Sequence, residues 1–509
     1  VLRNTIWNLL GEGLPMLAAL LSIPLLVGGI GLERFGALTL VWALLGWLMV
    51  LDLGLARALI QTVAERRGRR DGAGVAGIVR PALALMGLVG VAGGAVVAAA
   101  SGPLAGWLAH GSALVAGELR TTLFIVAAIV PVALVSAALR GVLEAHQEFR
   151  RVNLVKMTVG VLNYLSPVAV LPFTDSLAAV IAAIAAGRLA GAAAYGWLCL
   201  RVVPGLASRP RGPREPLRPL FTLGAWMTLN NLLGPLMTYA DRFVLAGLVP
   251  VAAVAFYTTP FELVVRLLFI PAALSGVLFP TAAGLFRQEP AALRRILDLG
   301  VAAIAGVFLP VLAAAVLLGG PALDLWLGPA FAAQGGPVLA VLALGVLFNA
   351  MAYVPYALIH GTGRMDVTAW LQLAELPVYL GALWLLVGAY GPLGAAIAWT
   401  ARTGVDLLLL LLLFGRLAPG TAPAAGRLAL AVTAVGGLAA AGLAVGGGEG
   451  LLLLAAGILP GLALAGRRLW ASGRGLLAAA IPGVGAGAGS GVGAGAASRG
   501  GDIGDPVPR

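Results

Sequence analysis

The stretch "TTPFELVVRLLFIP" (258–271) decides how this chain is read. It lies in a run from Val249 to Phe286 that is apolar almost throughout. Glu262 and Arg266 nevertheless stand four residues apart in its middle, and Pro260, Pro271 and Pro280 punctuate it. Residues four apart share one face of a helix, so the two charges can neutralise each other locally. Each proline removes a backbone hydrogen bond and bends the helix that carries it. In a membrane, backbone groups freed this way persist only when buried in protein or lining a cavity. The stretch therefore reads as a bent, overlong helix bordering an interior chamber.

The rest of the chain is of the same kind. Of 509 residues, 60% are hydrophobic and 11% charged, against about a quarter charged in a soluble protein. Long apolar runs recur from Leu9 to Gly466, which makes the bilayer the expected solvent. The net charge of +12 would suggest nucleic acid in a soluble protein; here the placement of the charge matters more, and no nucleic-acid partner is expected. A single cysteine, Cys199, excludes an intrachain disulfide and a cysteine-based zinc site. The N-terminus has Arg3 and then an apolar stretch, but Asn8, Glu12 and Pro15 interrupt it, so it reads as an uncleaved first span rather than a signal peptide.

About 20 residues cross about 30 Å of hydrocarbon. With that ruler the chain holds fourteen spans, near 7–29, 36–59, 78–99, 121–139, 157–173, 177–199, 220–240, 251–284, 299–320, 336–359, 367–388, 392–414, 427–446 and 450–466. The basic residues test the count. With the N-terminus in the cytoplasm, the inner connections and tail carry 25 of the 33 Lys and Arg, including "ERRGRR" (65–70) and "RGVLEAHQEFRRVNLVK" (140–156). The outer connections carry only Arg34, Arg120 and Arg242. That is the positive-inside bias, and it predicts both termini in the cytoplasm of a multi-pass protein of the cell's inner membrane.

The expected organisation is a six-helix bundle over 1–200, a Pro- and Arg-rich cytoplasmic linker over 201–219, a second six-helix bundle over 220–417, a helix pair over 418–472, and a disordered Gly/Ala tail over 473–509. Both halves begin with an Asn-bearing span, "WNLLGEGLPM" (7–16) and "LNNLLGPLMT" (229–238). Such repeats are common in transporters, with the substrate site between them.

Enzyme signatures are absent. No GK[ST] phosphate loop occurs, His110, His146 and His360 lack metal-ligand spacing, and the glycines of the tail lack the strand and helix of a dinucleotide fingerprint. The chain is read as a non-enzyme with no metal and no cofactor beyond a coupling proton or sodium ion. The signal lies in polar residues inside the spans. A charge at a helix centre costs roughly 3 kcal/mol on insertion scales, so such residues should face the protein interior. Arg266, Arg402, Arg57 and Arg188 are candidates for an anionic headgroup, because a guanidinium suits a diphosphate. Glu262, Glu375, Asp406, Asp52 and Glu12 are candidates for holding a coupling ion, and Asn230, Asn231, Asn349 and Asn163 for lining the cavity. The bland alternative is that Glu262/Arg266 and Arg402/Asp406, both spaced i,i+4, are structural clamps. Asp52, Arg57 and Arg80 can snorkel at a span end.

Several stretches resemble the polysaccharide-biosynthesis flippases of the multidrug/oligosaccharidyl-lipid/polysaccharide exporter superfamily. "GLERFGALTLVWALLGWLMVLDLGLARALIQTVAERRG" (31–68) matches through Phe35-Gly36, Trp42 and Asp52-Leu53-Gly54-Leu55. "YADRFVLAGLVPVAAVAFYTTPFELVVRLLFIPAALSGVLFPTAAGLF" (239–286) matches through Asp241-Arg242, Tyr257, Pro260, Glu262, Arg266 and Phe279-Pro280. Residues 358–380 and 391–410 resemble the later spans. The resemblance implies two six-helix bundles around a V-shaped cavity, and two further helices. It also implies alternating access that moves a polyprenyl-diphosphate-linked oligosaccharide between leaflets, with other envelope-glycan proteins as partners. The same superfamily includes cation-coupled multidrug exporters, which are the nearest rival. A membrane glycan polymerase or glycosyltransferase would need a long outer loop with acids, and a rigid scaffold would leave the buried charges unexplained.

Overall fold

The computed structural model describes residues 2–445 apart from 53, 70–71, 111, 204, 207–235, 286–289 and 419–420, together with 456–458, 460–461, 463 and 467. Within them the elements are α1 (Leu2–Trp47), a 3₁₀ turn (Leu48–Asp52), α2 (Leu55–Gly68), α3 (Gly72–Ala99), α4 (Ser101–Leu108), α5 (Ala113–Ala145), α6 (Phe149–Val170) and α7 (Leu177–Val202). After these come α8 (236–248), α9 (Val251–Val265), a 3₁₀ turn (Arg266–Leu268), α10 (Phe269–Leu285), α11 (Pro290–Leu327), α12 (Pro329–Gly361), α13 (Met365–Leu417) and α14 (Ala422–Val445). Helix is what a bilayer demands of an open chain, because every backbone polar group must then find its partner within its own segment.

Eight of these stretches are long and apolar enough to span a bilayer. Two of the eight are double. At 1.5 Å per residue the 53 residues of α13 would measure about 80 Å if straight. They break at Gly391 (φ 57°, ψ −131°), a conformation that needs glycine. Beyond the break the chain folds back so closely that a methyl group on Gly394 would meet the Leu386 carbonyl oxygen at 1.9 Å. Gly31 (φ 78°, ψ 166°) breaks α1 in the same way. In the first half α1 thus supplies two crossings and α3, α5 and α7 one each, with α6 packed between α1 and α7 in the place of a sixth. In the second half α9–α10, α11, α12 and the two arms of α13 supply five; the span expected at 220–240 is described only from residue 236, as α8. Helix α14 begins the additional pair; most of the span expected at 450–466 and the tail 473–509 lie outside the described residues, as does most of the linker 201–219.

In the second half α12 is the central, most enclosed helix, packed by α9, α10, α11 and α13. In the first half α5 packs against α3 and α7, and α6 against α1 and α7. Leucines such as Leu21, Leu88, Leu325 and Leu430 stand bare on the outside, as a lipid-facing surface allows. Prolines inside the helices are compensated by neighbours. Pro131 withholds the N–H that the Ala127 carbonyl would accept. Gly90 and Gly94 of α3 close on that spot; a methyl on Gly94 would lie 2.3 Å from the Ala127 oxygen. This is small-residue helix packing of the membrane kind.

The two halves meet at the end where Gly31, 249–250, Gly328 and Gly391 lie. A methyl on Gly36 would come within 2.1 Å of the Val251 carbonyl oxygen, one on Gly46 within 2.6 Å of the Tyr239 hydroxyl, and one on Gly247 within 2.5 Å of the Trp107 indole nitrogen. The first half is tied at the same end by Arg34, which donates to Glu118 of α5 at 2.7 Å and to Asp175 of the α6–α7 connection at 2.7 Å.

Candidate functional site

The opening stretch is helix α9, then a tight 3₁₀ turn that begins at Arg266, then α10. Pro271 has no N–H to give the Leu267 carbonyl, and the chain tightens into the 3₁₀ turn just there. The result aims Glu262 and Arg266 into a cavity of about 380 Å³ between the halves. Helices α1, α6 and α7 form one wall and α8 and α9 the other.

The i,i+4 pairing is not the strong one. Glu262 accepts from Arg242 of α8 at 2.7 Å, whereas Arg266 stands 3.7 Å away. Arg242 is a correction to the sequence reading, which placed it in an outer connection. Helix α8 runs on to residue 248, so Arg242 lies inside it with a side chain only 2% exposed. The guanidinium sits 5.0 Å from the Tyr239 ring centre and 4.9 Å from that of Phe261. Asp241, itself fully buried, accepts the backbone N–H of Arg242 at 2.7 Å and the hydroxyl of Tyr257. Burying a charge is tolerable when it is paired and hydrogen-bonded. Here a buried cation anchors an acid whose side chain is 44% open to the chamber.

Arg266 is left free to reach across the cavity. It donates to the Tyr164 hydroxyl of α6 at 2.7 Å, joining the two halves. Arg188 of α7 approaches the same place from the other wall and donates to the Asn163 side-chain oxygen at 3.3 Å. The arrangement brings together four sequence candidates, Arg188, Asn163, Glu262 and Arg266, and adds Arg242, Tyr164 and Trp42. Among the described lining residues three arginines stand against one glutamate, a net positive set.

A second cavity of about 260 Å³ lies within the second half, lined by Asn349, Tyr353, Gln372, Arg402 and Asp406 among others. Again the cross-helix partner displaces the local one. Arg402 stands 4.0 Å from Glu375, and no ion pair joins Arg402 to Asp406 among the described residues. Glu375 is buried and neither carboxylate oxygen has a hydrogen-bond partner; the Tyr379 hydroxyl and Arg402 Nε are likewise unmet.

Other candidates fall elsewhere. Asp52 accepts the Ala56 N–H at 3.0 Å and so caps the start of α2, and Arg57 is exposed on that helix; neither lines the two cavities. Arg80 donates to the Leu206 and Gly205 carbonyls, fixing the exit of α7. Asn230, Asn231 and the Glu12 side chain lie outside the described residues. Among the described residues no cluster of three or more His, Cys, Asp and Glu is arranged for a metal ion.

A multi-pass helical protein with a guanidinium-lined chamber between two six-helix halves has the architecture of a transporter, and its family follows from the sequence match. Residues 1–286 match the family described as "Polysaccharide biosynthesis protein", and the chain belongs to it. A protein of Shigella flexneri named "Putative O-antigen transporter" is 28% identical over 417 residues, covering 82% of this chain and 98% of the relative. Two solved structures share the fold. One is a multidrug resistance MATE family transporter of the MOP superfamily in an inward-facing conformation (TM-score 0.63, 16% identical, 81% of this chain and 95% of that one). The other is the lipid II flippase MurJ in an inward closed conformation (TM-score 0.62, 14% identical, 94% of this chain and all of that one).

Proposed function

We propose that this protein moves a polyprenyl-diphosphate-linked oligosaccharide from the cytoplasmic to the outer leaflet of the inner membrane by alternating access, with both termini in the cytoplasm. One observation carries the reading. Arg266 and Arg188 come from opposite halves and converge on Asn163-Tyr164 in one chamber, while Arg242 occupies the only acid that lines it among the described residues. Guanidinium groups recognise phosphate oxygens through paired N–H donors. A cargo whose diphosphate sits on Arg266 and whose glycan reaches the Arg188 wall touches both halves, which couples its binding to their movement. No bond of the substrate is made or broken in this reading.

The family match and the Shigella relative support a glycan-lipid cargo. The rival, a cation-coupled multidrug exporter, shares the fold, but a chamber with three arginines and one engaged glutamate repels an organic cation. Energy input is assigned to the second half: Arg402 lines the second cavity with Asp406 and stands 4.0 Å from Glu375, and a proton or sodium ion on Glu375 would release the arginine.

The test is translocation of a fluorescent polyprenyl-diphosphate-linked glycan by the purified full chain in liposomes. Transport is expected with the wild type, and Arg266→Ala should lower it at least tenfold, with Arg266→Lys intermediate. Normal transport by both variants would remove the headgroup role.

A further inference from the structure

The first-half wall of the main cavity carries an unmet set of donors. Arg188 is a cation with no carboxylate in ion-pair range among the described residues; its one hydrogen bond goes to a neutral amide at 3.3 Å, and its Nε–H is buried without a partner. The Trp42 indole N–H is also buried without a partner. Trp42 meets Tyr164 edge-to-face at 5.3 Å and Phe35 at 6.5 Å, so its ring is fixed in place. Asn163 and Tyr164, adjacent in the chain, connect the two groups: one bonds Arg188, the other packs on Trp42. All of these residues line the same cavity. A buried donor left without an acceptor costs about 1–3 kcal/mol, more when charged. Two such donors on residues that line one cavity mark a place where a ligand supplies the acceptors.

The chemistry of that ligand can be read from the set. A guanidinium without a counter-ion calls for an anion. A fixed indole offers a flat apolar face and one neutral N–H, a surface for the C–H face and an oxygen of a pyranose rather than for a bare phosphate. We propose that Trp42, Asn163 and Arg188 form a glycosyl subsite that takes an acidic sugar, its carboxylate on Arg188 and the Trp42 N–H, next to the diphosphate held by Arg266. This rests on the headgroup reading above and adds a substrate class to it. Specificity then has two parts: Arg266 reads the diphosphate that every cargo carries, and the first-half wall reads the sugar.

The experiment measures binding of three probes to the purified full chain in detergent: a short polyprenyl diphosphate, the same lipid bearing one neutral hexose, and the same lipid bearing one hexuronic acid. The wild type should bind the uronide about tenfold more tightly than the hexoside. Arg188→Gln should erase that preference while changing affinity for bare polyprenyl diphosphate less than threefold. Arg266→Gln should weaken all three probes alike. Trp42→Phe keeps the ring and deletes the N–H; it should cut the preference by at least half, and it carries the test if Arg188→Gln does not fold. Equal wild-type affinity for uronide and hexoside overturns the proposal and leaves the headgroup reading standing. A loss of bare diphosphate binding in Arg188→Gln as large as in Arg266→Gln also overturns it, making Arg188 a phosphate ligand. Failure of all three probes to bind wild type overturns the headgroup reading itself.

Discussion

Trp326, at the end of α11, donates its indole N–H to the Leu20 carbonyl of α1 at 2.8 Å, a bond between the two halves. That carbonyl is available because Pro24, four residues on, has no N–H to offer it. A proline in one half thus creates the acceptor that a tryptophan of the other half uses, at the rim of the main cavity.

Removing the donor should loosen this joint. Trp326→Phe leaves the Leu20 carbonyl bare and is expected to cost about 1 kcal/mol of the joined arrangement, shifting the conformational ratio roughly fivefold. Pro24→Ala should act similarly, by restoring an intrahelical partner that competes for the same oxygen. Spin-label distances between α1 and α11 in each variant check both; unchanged distributions would count against the bond as a joint.

Glu262 and Arg266 should separate into different phenotypes. Glu262→Gln strips the counter-charge from buried Arg242. Breaking a fully buried pair costs about 3–5 kcal/mol; with Glu262 half open to the chamber, about 2 kcal/mol is expected. Arg266→Gln, whose partner is a tyrosine hydroxyl, should change stability by less than about 1 kcal/mol. Thermal unfolding in detergent should therefore show a clear drop for the first variant and little for the second.

In the second cavity, Glu375→Gln should leave Arg402 without its cross-helix acid and destabilise the chain. The double change Glu375→Gln, Arg402→Met should recover most of that loss, since both charges are then gone. The same single variant is expected to abolish stimulation of transport by an imposed proton or sodium gradient. Additive stability losses, or intact stimulation, would show that the two residues do not act as a pair.

Gly36→Ala should force the halves apart where they meet, because the added methyl would lie 2.1 Å from the Val251 carbonyl oxygen, a backbone atom that cannot step aside. A cysteine placed at Val249 reports it. Maleimide labelling there should rise several-fold in the Gly36→Ala background, against a native Cys199 that is buried and donates to the Leu139 carbonyl.

Much of the fold was legible because lipid imposes a simple rule of length and apolarity. The double helices α1 and α13 were resolved into spans from length alone, and the structure supplies the reason in Gly31 and Gly391. The site was less legible. Spacing of four residues reports neighbours on one helix, so it singled out Glu262/Arg266 and Arg402/Asp406. The closer partners, Arg242 to Glu262 on different helices and Glu375 to Arg402 on the two arms of α13, are far apart in sequence, and only tertiary packing brings them together. Arg242 reads as part of an outer connection because an arginine at the edge of an apolar run resembles a loop residue. Tyr239 and Phe243, three before and one after it, were the available sign that the helix continued. Trp42 is not legible as a polar candidate in the sequence, because an aromatic within an apolar span reads as core; only its unmet N–H sets it apart.

The glycines at the meeting of the halves have a consequence for turnover. Trp107 and Tyr239 are stiff rings seated in notches at Gly247 and Gly46, and Gly36 lays bare backbone against backbone. Surfaces that mesh through long flexible side chains must unthread many rotamers before they part. Here a ring would withdraw from a shallow socket as a rigid tooth, so halves that part at this seam would reseat in register with little reshuffling of side chains.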